Sequence, residues 1–252
     1  MLFRTVRTRE TMLRAILFDL DDTLFDHRHC AREALTAVHQ AHTCFAAVAF
    51  DEFERAHAEH LEALHLEVLD GRLSIDAARA ERFHRLLAAA GGAIGDARRA
   101  AATYRERYVS ARRPVPGAQA LLAALQPHAR LAIVSNNLLA EQQEKLRECG
   151  LDAYVDALIV SEEAGASKPD PGIFRIALER VEASPAEALM IGDSWANDIE
   201  GARALGLPAI WFNPGGLPPP DPSAGVPELR TLEPAADVAS TIRSIHSRAH
   251  RD

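Results

Sequence analysis

The sequence predicts an α/β protein with a doubly wound parallel sheet and an inserted four-helix domain. Two observations predict this fold. Short apolar runs bounded by polar residues alternate with helical segments from about residue 116 to 212, which is typical of parallel strands joined by helices. From about residue 27 to 112, apolar side chains recur instead at three- and four-residue steps, which is typical of amphipathic helices.

Five strands account for the apolar runs. The first run, at residues 15–18, precedes the helical insert, and four more follow the insert, at about residues 131–134, 157–160, 188–191 and 209–212. We predict the order 5-4-1-2-3, because that order brings the polar residues after strands 1, 2 and 4 together at one edge. A segment rich in proline and glycine, residues 213–226, predicts a surface loop, and a last helix is expected at about 234–245.

The predicted domains are a catalytic core and a cap. The core comprises residues 13–26 and 113–252, the helical cap comprises residues 27–112 and is expected to determine substrate specificity, and residues 1–12 are expected to form a loose extension. Within the cap we expect Tyr104 and Tyr108 to pack in the core. We expect a row of arginines to form a solvated face: Arg72, Arg79, Arg82 and Arg85.

Composition narrows the function classes. The chain has 252 residues and a net charge of -8, which argues against a nucleic-acid polymer or a membrane surface as partner. No apolar run approaches the roughly 18 residues of a membrane span, and no signal peptide is expected. The three cysteines lack a Cys-x-x-Cys pair and indicate reduced thiols, so we expect a cytoplasmic enzyme.

Polar residues follow three of the strands directly. Asp19-Leu20-Asp21-Asp22-Thr23 follows the first strand, Ser135-Asn136 ends the second, and Asp193 follows the fourth. Lys168 lies in the loop after the third strand. Ligands bind outside the carboxyl ends of strands in open parallel sheets, so these groups are expected to meet. Carboxylates, a hydroxyl and an ammonium together suit a divalent cation, a phosphoryl group and a carboxylate nucleophile.

The order of these motifs resembles a known family. Asp-x-Asp-x-Thr, Ser-Asn, Lys-Pro and Gly-Asp-Ser-x-x-Asn-Asp are similar to the four motifs of the haloacid dehalogenase superfamily of phosphohydrolases, in the subfamily with a helical type-one cap. The stretch at residues 159–174 is similar to the branch with pyrimidine 5'-nucleotidases and N-acylneuraminate phosphatases. The resemblance covers about residues 13–212 and implies a Rossmann-like core.

The roles of the first-motif residues follow from this chemistry and agree with the resemblance. Asp19 is the expected nucleophile, and Asp21 the expected general acid and then base. We expect Mg²⁺ to be bound by the Asp19 carboxylate, the Asp21 backbone carbonyl and Asp193. Thr23 is expected to fix the turn after the strand by a bond from its side chain to the backbone.

The later motifs supply the groups that bind phosphate. Ser135 is expected to hydrogen-bond a phosphoryl oxygen, Asn136 to contribute backbone geometry there, and Asp198 to orient metal waters or Lys168. Lys168 is expected to bridge Asp19 and the phosphate, because only two of the 28 basic residues are lysines and a compact charge fits between two anions. The other lysine, Lys145, is expected to be solvated on its helix.

The function predicted from these residues is phosphate release from a small phosphorylated metabolite, a nucleoside monophosphate or a sugar phosphate, by a monomer or homodimer. A sugar phosphomutase uses the same motifs and stays open. A hydrolytic 2-haloacid dehalogenase also stays open, although an acid/base Asp at position 21 counts against it. Outside enzymes, the chain could be a phospho-accepting regulator or an inactive binding protein. The lifetime of the aspartyl-phosphate separates these readings from an enzyme, which hydrolyses it rapidly.

Overall fold

The computed structural model describes residues 12–249. The chain forms two compact units: a helical unit from Asp26 to Arg113, and a core unit from the chain on either side of it. These boundaries differ by one residue at each end from the cap expected at 27–112. Apart from Met12, the extension expected at residues 1–12 lies outside the described residues.

The helical unit contains the four α-helices expected from the apolar periodicity: α1 (His27–Ala41), α2 (Phe50–Leu69), α3 (Ile75–Ala89) and α4 (Ala97–Ser110). The start of α1 carries a side-chain cap, since Asp26 accepts a hydrogen bond from the backbone of His29. Tyr104 and Tyr108 are buried as predicted. The prediction for Arg82 was wrong: it is 5% exposed, and its guanidinium lies 5.0 Å from the ring of Tyr104.

The core unit is built on a parallel sheet. Within residues 12–249 the sheet has six strands in the order β3-β2-β1-β4-β5-β6. They are β1 (Ala15–Phe18), β2 (Arg130–Ser135), β3 (Ala157–Val160), β4 (Ala188–Gly192), β5 (Ala209–Phe212) and β6 (Glu228–Leu229). The predicted order 5-4-1-2-3 is confirmed. The short edge strand β6 was not predicted, because two residues after a proline-rich segment carry no periodicity.

Strand register places the site residues at one level. Phe18, the last residue of β1, pairs with Ile133 of β2 and with Ile191 of β4. Apart from Arg130, which is exposed at the start of β2, the paired residues of all three strands are buried and apolar, as strands covered on both faces must be. The chain therefore leaves each strand at the same edge of the sheet, where the polar motif residues begin.

The remaining helices connect and flank the strands: α5 (Ala118–Leu125), α6 (Leu139–Glu148), α7 (Ser161–Ala164), α8 (Pro171–Arg180), α9 (Gly201–Ala204) and α10 (Ala235–Ala249). A π-helical segment, Trp195–Glu200, precedes α9. The last helix runs four residues beyond the predicted end at about 245. Among the described residues, none of the helices is long and apolar enough to cross a membrane.

Candidate active site

The nucleophile candidate lies at the tip of the central strand. Asp19 follows β1 directly, is 6% exposed, and donates its backbone N–H to the carbonyl of Ile191 on the neighbouring strand. This bond continues the ladder of the sheet by one residue and fixes the main chain of Asp19. Asp19 is thus held on a buried, rigid strand end, which is the kind of support that a reacting group requires.

The turn after Asp19 is held by the main chain rather than by Thr23. The backbone N–H groups of Leu24 and Phe25 both donate to the carbonyl of Leu20, each at 2.9 Å. The hydroxyl of Thr23 is buried and has no hydrogen-bond partner among the described residues. The predicted bond from its side chain to the backbone is therefore wrong, and within residues 12–249 the Thr23 side chain contacts its surroundings only by packing.

Lys168 lies between two carboxylates. Its Nζ is 2.6 Å from Oδ1 of Asp19 and 2.7 Å from Oδ1 of Asp198, and the lysine side chain is 3% exposed. Buried ammonium groups are costly unless they are paired. Here one ammonium is shared by two anions, so the expectation that Asp198 orients Lys168 agrees with the geometry.

Burial and charge act against each other on these groups. Burial alone would lower the pKa of Lys168, but the carboxylates of Asp19 and Asp198 outweigh it and raise that pKa, so the ammonium stays charged. Burial raises the pKa of Asp19, and the carboxylates of Asp198 and Asp193 add to this, while Lys168 opposes it. The site therefore holds more negative charge than Lys168 alone offsets.

A cluster of carboxylates completes this side of the site. Asp19, Asp193 and Asp198 each offer an oxygen, and these three oxygens lie within 4.8 Å of one another. The backbone N–H of Ser194 donates to the second oxygen of Asp198 at 2.9 Å, so both oxygens of that residue are engaged. Oxygen ligands at this spacing match the preference of Mg²⁺, and a divalent cation would offset the excess negative charge.

Asn136 fixes the loop that carries Lys168. Its side-chain Nδ2 donates to the carbonyl of Lys168 at 2.8 Å, and its Oδ1 accepts from the backbone N–H of Lys168 at 2.7 Å. This reciprocal pair joins the residue after β2 to the loop after β3. It uses one amide hydrogen and the amide oxygen, so the structure shows Asn136 as a support for Lys168.

The second lysine is also part of the site, contrary to prediction. Lys145 on α6 is 3% exposed, and its Nζ lies 2.6 Å from Oδ1 of Asp21. Gln142, one turn earlier, is fully buried and donates through Nε2 to Oδ2 of Asp21 at 2.9 Å and to Oγ of Ser135 at 2.6 Å. One amide therefore links the general-acid candidate, Asp21, to the hydroxyl of Ser135, the candidate for binding phosphate.

Sequence reasoning missed Gln142 and Lys145 although a signal was present. Gln142, Lys145 and Leu146 on α6, and Cys149 directly after it, recur at steps of three and four and form one buried face. The chain has only two lysines, so the argument from scarcity that singled out Lys168 applied equally to Lys145. Because Lys145 shares a helix face with Leu146 and Cys149, the periodicity of α6 predicts that Lys145 is buried.

The fold and this site define the chain as a hydrolase of the α/β class with its acidic groups at the carboxyl edge of a parallel sheet. The haloacid dehalogenase-like hydrolase family matches residues 13–206. The chain belongs to this family, and several curated relatives that it matches are named phosphatases.

Two relatives and one solved structure illustrate the similarity. A phosphoserine phosphatase of Thermus thermophilus is 42% identical over 59% of this chain and 59% of its own length. A ribulose-1,5-bisphosphate 5-phosphatase of Halopiger xanaduensis is 33% identical over 81% of this chain and 86% of its own. The crystal structure of the hydrolase YfnB of Bacillus subtilis bound to magnesium has a TM-score of 0.69 at 28% identity, covering 90% of this chain and 99% of that one.

Proposed function

We propose that this chain is a Mg²⁺-dependent phosphatase that hydrolyses a small phosphomonoester through an aspartyl-phosphate on Asp19. The observation that carries the proposal is the buried Lys168 ammonium shared by Asp19 and Asp198. A phosphate dianion and a carboxylate nucleophile repel each other, and the repulsion is strong where water is excluded. A fixed ammonium beside the nucleophile offsets that repulsion without having to reorganise during the reaction.

The donor set fits a magnesium ion. We propose that the carboxylates of Asp19 and Asp193 and the backbone carbonyl of Asp21 hold it, with Asp198 in support through Lys168. When bound, the ion would neutralise charge on the phosphoryl oxygens. The carboxylate oxygens within 4.8 Å of one another support this assignment, as does the magnesium bound to the similar structure from Bacillus subtilis.

The chemical steps divide between two carboxylates. A carboxylate oxygen of Asp19 attacks phosphorus, the bond to the leaving oxygen breaks, and Asp21 gives that oxygen a proton. Asp21 then takes a proton from the water that hydrolyses the acyl phosphate. Ser135 holds a phosphoryl oxygen through its hydroxyl, and Lys168 neutralises the transferred group.

The substrate class is a small phosphorylated metabolite, with a nucleoside monophosphate or a sugar phosphate as the first candidates. The names of relatives support this range, since they include a phosphoserine phosphatase, a ribulose bisphosphate phosphatase and the pyrimidine 5'-nucleotidase YjjG of Escherichia coli. We propose that the helical unit, residues 26–113, determines specificity. A cytoplasmic monomer or homodimer that binds no nucleic-acid polymer remains our prediction.

The alternatives have less support. A 2-haloacid dehalogenase of Pseudomonas syringae pv. Tomato shares the fold with a TM-score of 0.62, but at 24% identity it shows the fold alone. A proton donor such as Asp21 suits an alkoxide leaving group, whereas a halide needs none. A phosphomutase would return phosphate to a sugar, and a regulator would keep a stable aspartyl-phosphate; the products and the lifetime of the intermediate distinguish both.

The test is phosphate release from a panel of phosphorylated metabolites with Mg²⁺, with chelator, and after Mg²⁺ is restored. Asp19→Asn is expected to lose at least about a thousandfold in turnover. Asp22→Asn is the matched control, because it makes the same change three residues on, at a backbone φ of 66° that Asn adopts readily. Near wild-type turnover by Asp19→Asn would refute the covalent route.

A further inference from the structure

Lys145 and Gln142 lie one turn apart on the buried face of α6 and both bind Asp21. Lys145 Nζ contacts Oδ1 at 2.6 Å, and Gln142 Nε2 contacts Oδ2 at 2.9 Å. Both carboxylate oxygens are therefore held from the same helix, and Oδ2 also accepts a longer hydrogen bond, of 3.4 Å, from Nδ2 of Asn137. A carboxylate with both oxygens bound in this way is restricted in rotation about its last side-chain bond.

Lys145 is buried, so its position depends on the contact of its ammonium with Asp21. Its side chain is 4% exposed, and Asp21 is its ion-pair partner among residues 12–249. The ammonium also lies 5.1 Å from the ring centroid of Phe25, which belongs to the same turn as Asp21. An ammonium out of water is costly without a partner, so Lys145 is fixed to this turn from two sides.

Gln142 is a costly choice for packing alone. It is fully buried, and its Oε1 has no hydrogen-bond partner among the described residues. An unpaired buried oxygen destabilises the folded protein, and a leucine or methionine at this position would avoid that loss. The orientation of its amide is also determined, because the reverse orientation would place Oε1 against the carboxylate of Asp21.

The same amide also orients the phosphate-binding hydroxyl. Gln142 Nε2 donates one hydrogen to Asp21 and the other to Oγ of Ser135, at 2.6 Å. Because Ser135 accepts from Gln142, its own proton is directed elsewhere and can be donated. A phosphoryl oxygen, which only accepts, is the partner that this arrangement suits.

We propose that Lys145 and Gln142 are positioning residues that orient Asp21 for proton transfer to the leaving oxygen, and that Gln142 also orients the Ser135 hydroxyl toward the phosphoryl group. The proposal rests on the function proposed above. When the bond between phosphorus and the leaving oxygen breaks, the electron pair stays on that oxygen, which takes the proton of Asp21. The carboxylate left behind is the form that the Lys145 ammonium and the Gln142 amide bind.

The first experiment measures kcat of Lys145→Met on two substrates with Mg²⁺. Glycerol 2-phosphate has a poor leaving group and depends on the proton donor, whereas p-nitrophenyl phosphate has a good one and does not. Lys145→Met removes the charge and keeps the length of the side chain. We expect kcat to fall about a hundredfold on the first substrate and by less than about threefold on the second. Arg147→Met, on the exposed face of the same helix, is the control and should change neither.

A double-variant cycle separates positioning of Asp21 from a structural role. In the background of Asp21→Asn, Lys145→Met is expected to cause no further loss, since the acid it orients is gone. Equal losses on both substrates, a gain in activity, or an additional loss in the double variant would each overturn the proposal. Failure of the wild-type protein to hydrolyse either substrate would instead refute the proposed function.

Gln142→Leu supplies the second readout. Beyond the effect on leaving groups, we expect inhibition by inorganic phosphate to weaken about tenfold, because one hydrogen bond to an anion loses its orientation. Lys145→Met should leave inhibition by phosphate unchanged. Unchanged inhibition in Gln142→Leu would overturn the assignment of Gln142 to Ser135.

Discussion

The carboxylate of Asp198 occupies the space that a side chain at Gly192 would need. A Cβ atom at residue 192 would lie 2.6 Å from the Cβ of Asp198 and closer still to its carboxylate. Gly192 is the last residue of β4, and Asp198 belongs to the π-helical segment that follows. Without a side chain at residue 192, that segment can fold back over the strand end and bring Asp198 to Lys168.

Gly192→Ala is therefore expected to damage both the fold and the site. The added methyl must push the buried Asp198 away, which should cost about 1–3 kcal/mol in free energy of unfolding. Turnover should fall at least about tenfold in the folded protein, because Lys168 loses one of its two anions. Denaturant unfolding and phosphate release measure the two effects separately.

The control for this prediction is Gly95→Ala, where the structure has open space and an ordinary backbone. That variant should change the free energy of unfolding by no more than about 0.5 kcal/mol. Wild-type stability and turnover in Gly192→Ala would mean that the π-helical segment moves without consequence.

Positions at the strand tips could be predicted from the sequence because they depend on chain order alone. Asp19, Ser135 and Asp193 each stand at or after the end of an apolar run, and parallel strands bring such ends to one edge. The strand order followed from the same requirement. The register of Phe18 with Ile133 and Ile191 shows that the ends of these three strands lie side by side, as this rule requires.

Two of the interpretations that were wrong concern side chains whose contacts the local spacing of residues does not determine. Whether Lys145 is solvated depends on which face of α6 meets Asp21, 124 residues earlier. A threonine at such a position often hydrogen-bonds to the backbone of its own turn. In this protein the backbone N–H groups of Leu24 and Phe25 already donate to the carbonyl of Leu20. Local spacing describes neither of these contacts.

Lys168→Arg is expected to lose most activity. The ammonium fits between Asp19 and Asp198 at 2.6 and 2.7 Å, with 3% of the side chain exposed. A planar guanidinium is wider and must displace a carboxylate, so turnover should fall about a hundredfold although the charge is kept. Arg147→Lys on the exposed face of α6 is the control, since Lys145 is itself buried in the site. Equal turnover in both variants would show that Lys168 does not neutralise the phosphate.

Thr23→Val is expected to stabilise the protein. The Thr23 hydroxyl is fully buried and has no hydrogen-bond partner in the part of the chain that the structure describes, and valine replaces it with a methyl of similar size. Removing an unsatisfied buried hydroxyl should raise the free energy of unfolding by about 1 kcal/mol. Thermal and denaturant unfolding both measure this change. A loss of stability would show that the hydroxyl binds a buried water in solution.

His57 should make the stability of the helical unit depend on pH. Burial lowers the pKa of His57 well below its usual 6.5, and the positive charges of Arg82, His27 and His60 lower it further. The unfolded chain therefore takes up a proton at a higher pH than the folded chain does. The contribution of neutral His57 to the free energy of unfolding should be fully present above pH 6.5. Below that pH the free energy of unfolding should fall, with a slope of up to ~1.4 kcal/mol per pH unit.

Replacing His57 by phenylalanine should flatten this slope between pH 6.5 and 5, because the side chain at residue 57 can no longer take up a proton. The aromatic neighbours Phe83 and Tyr104, with ring centroids at 5.7 and 5.0 Å, can receive the new ring. His128→Phe is the control at an exposed histidine and should keep the wild-type slope. Urea unfolding at closely spaced pH values measures all three proteins. An unchanged slope in His57→Phe would mean that His57 is already protonated in the folded protein, and the buried cluster around Arg82 would then hold two positive charges.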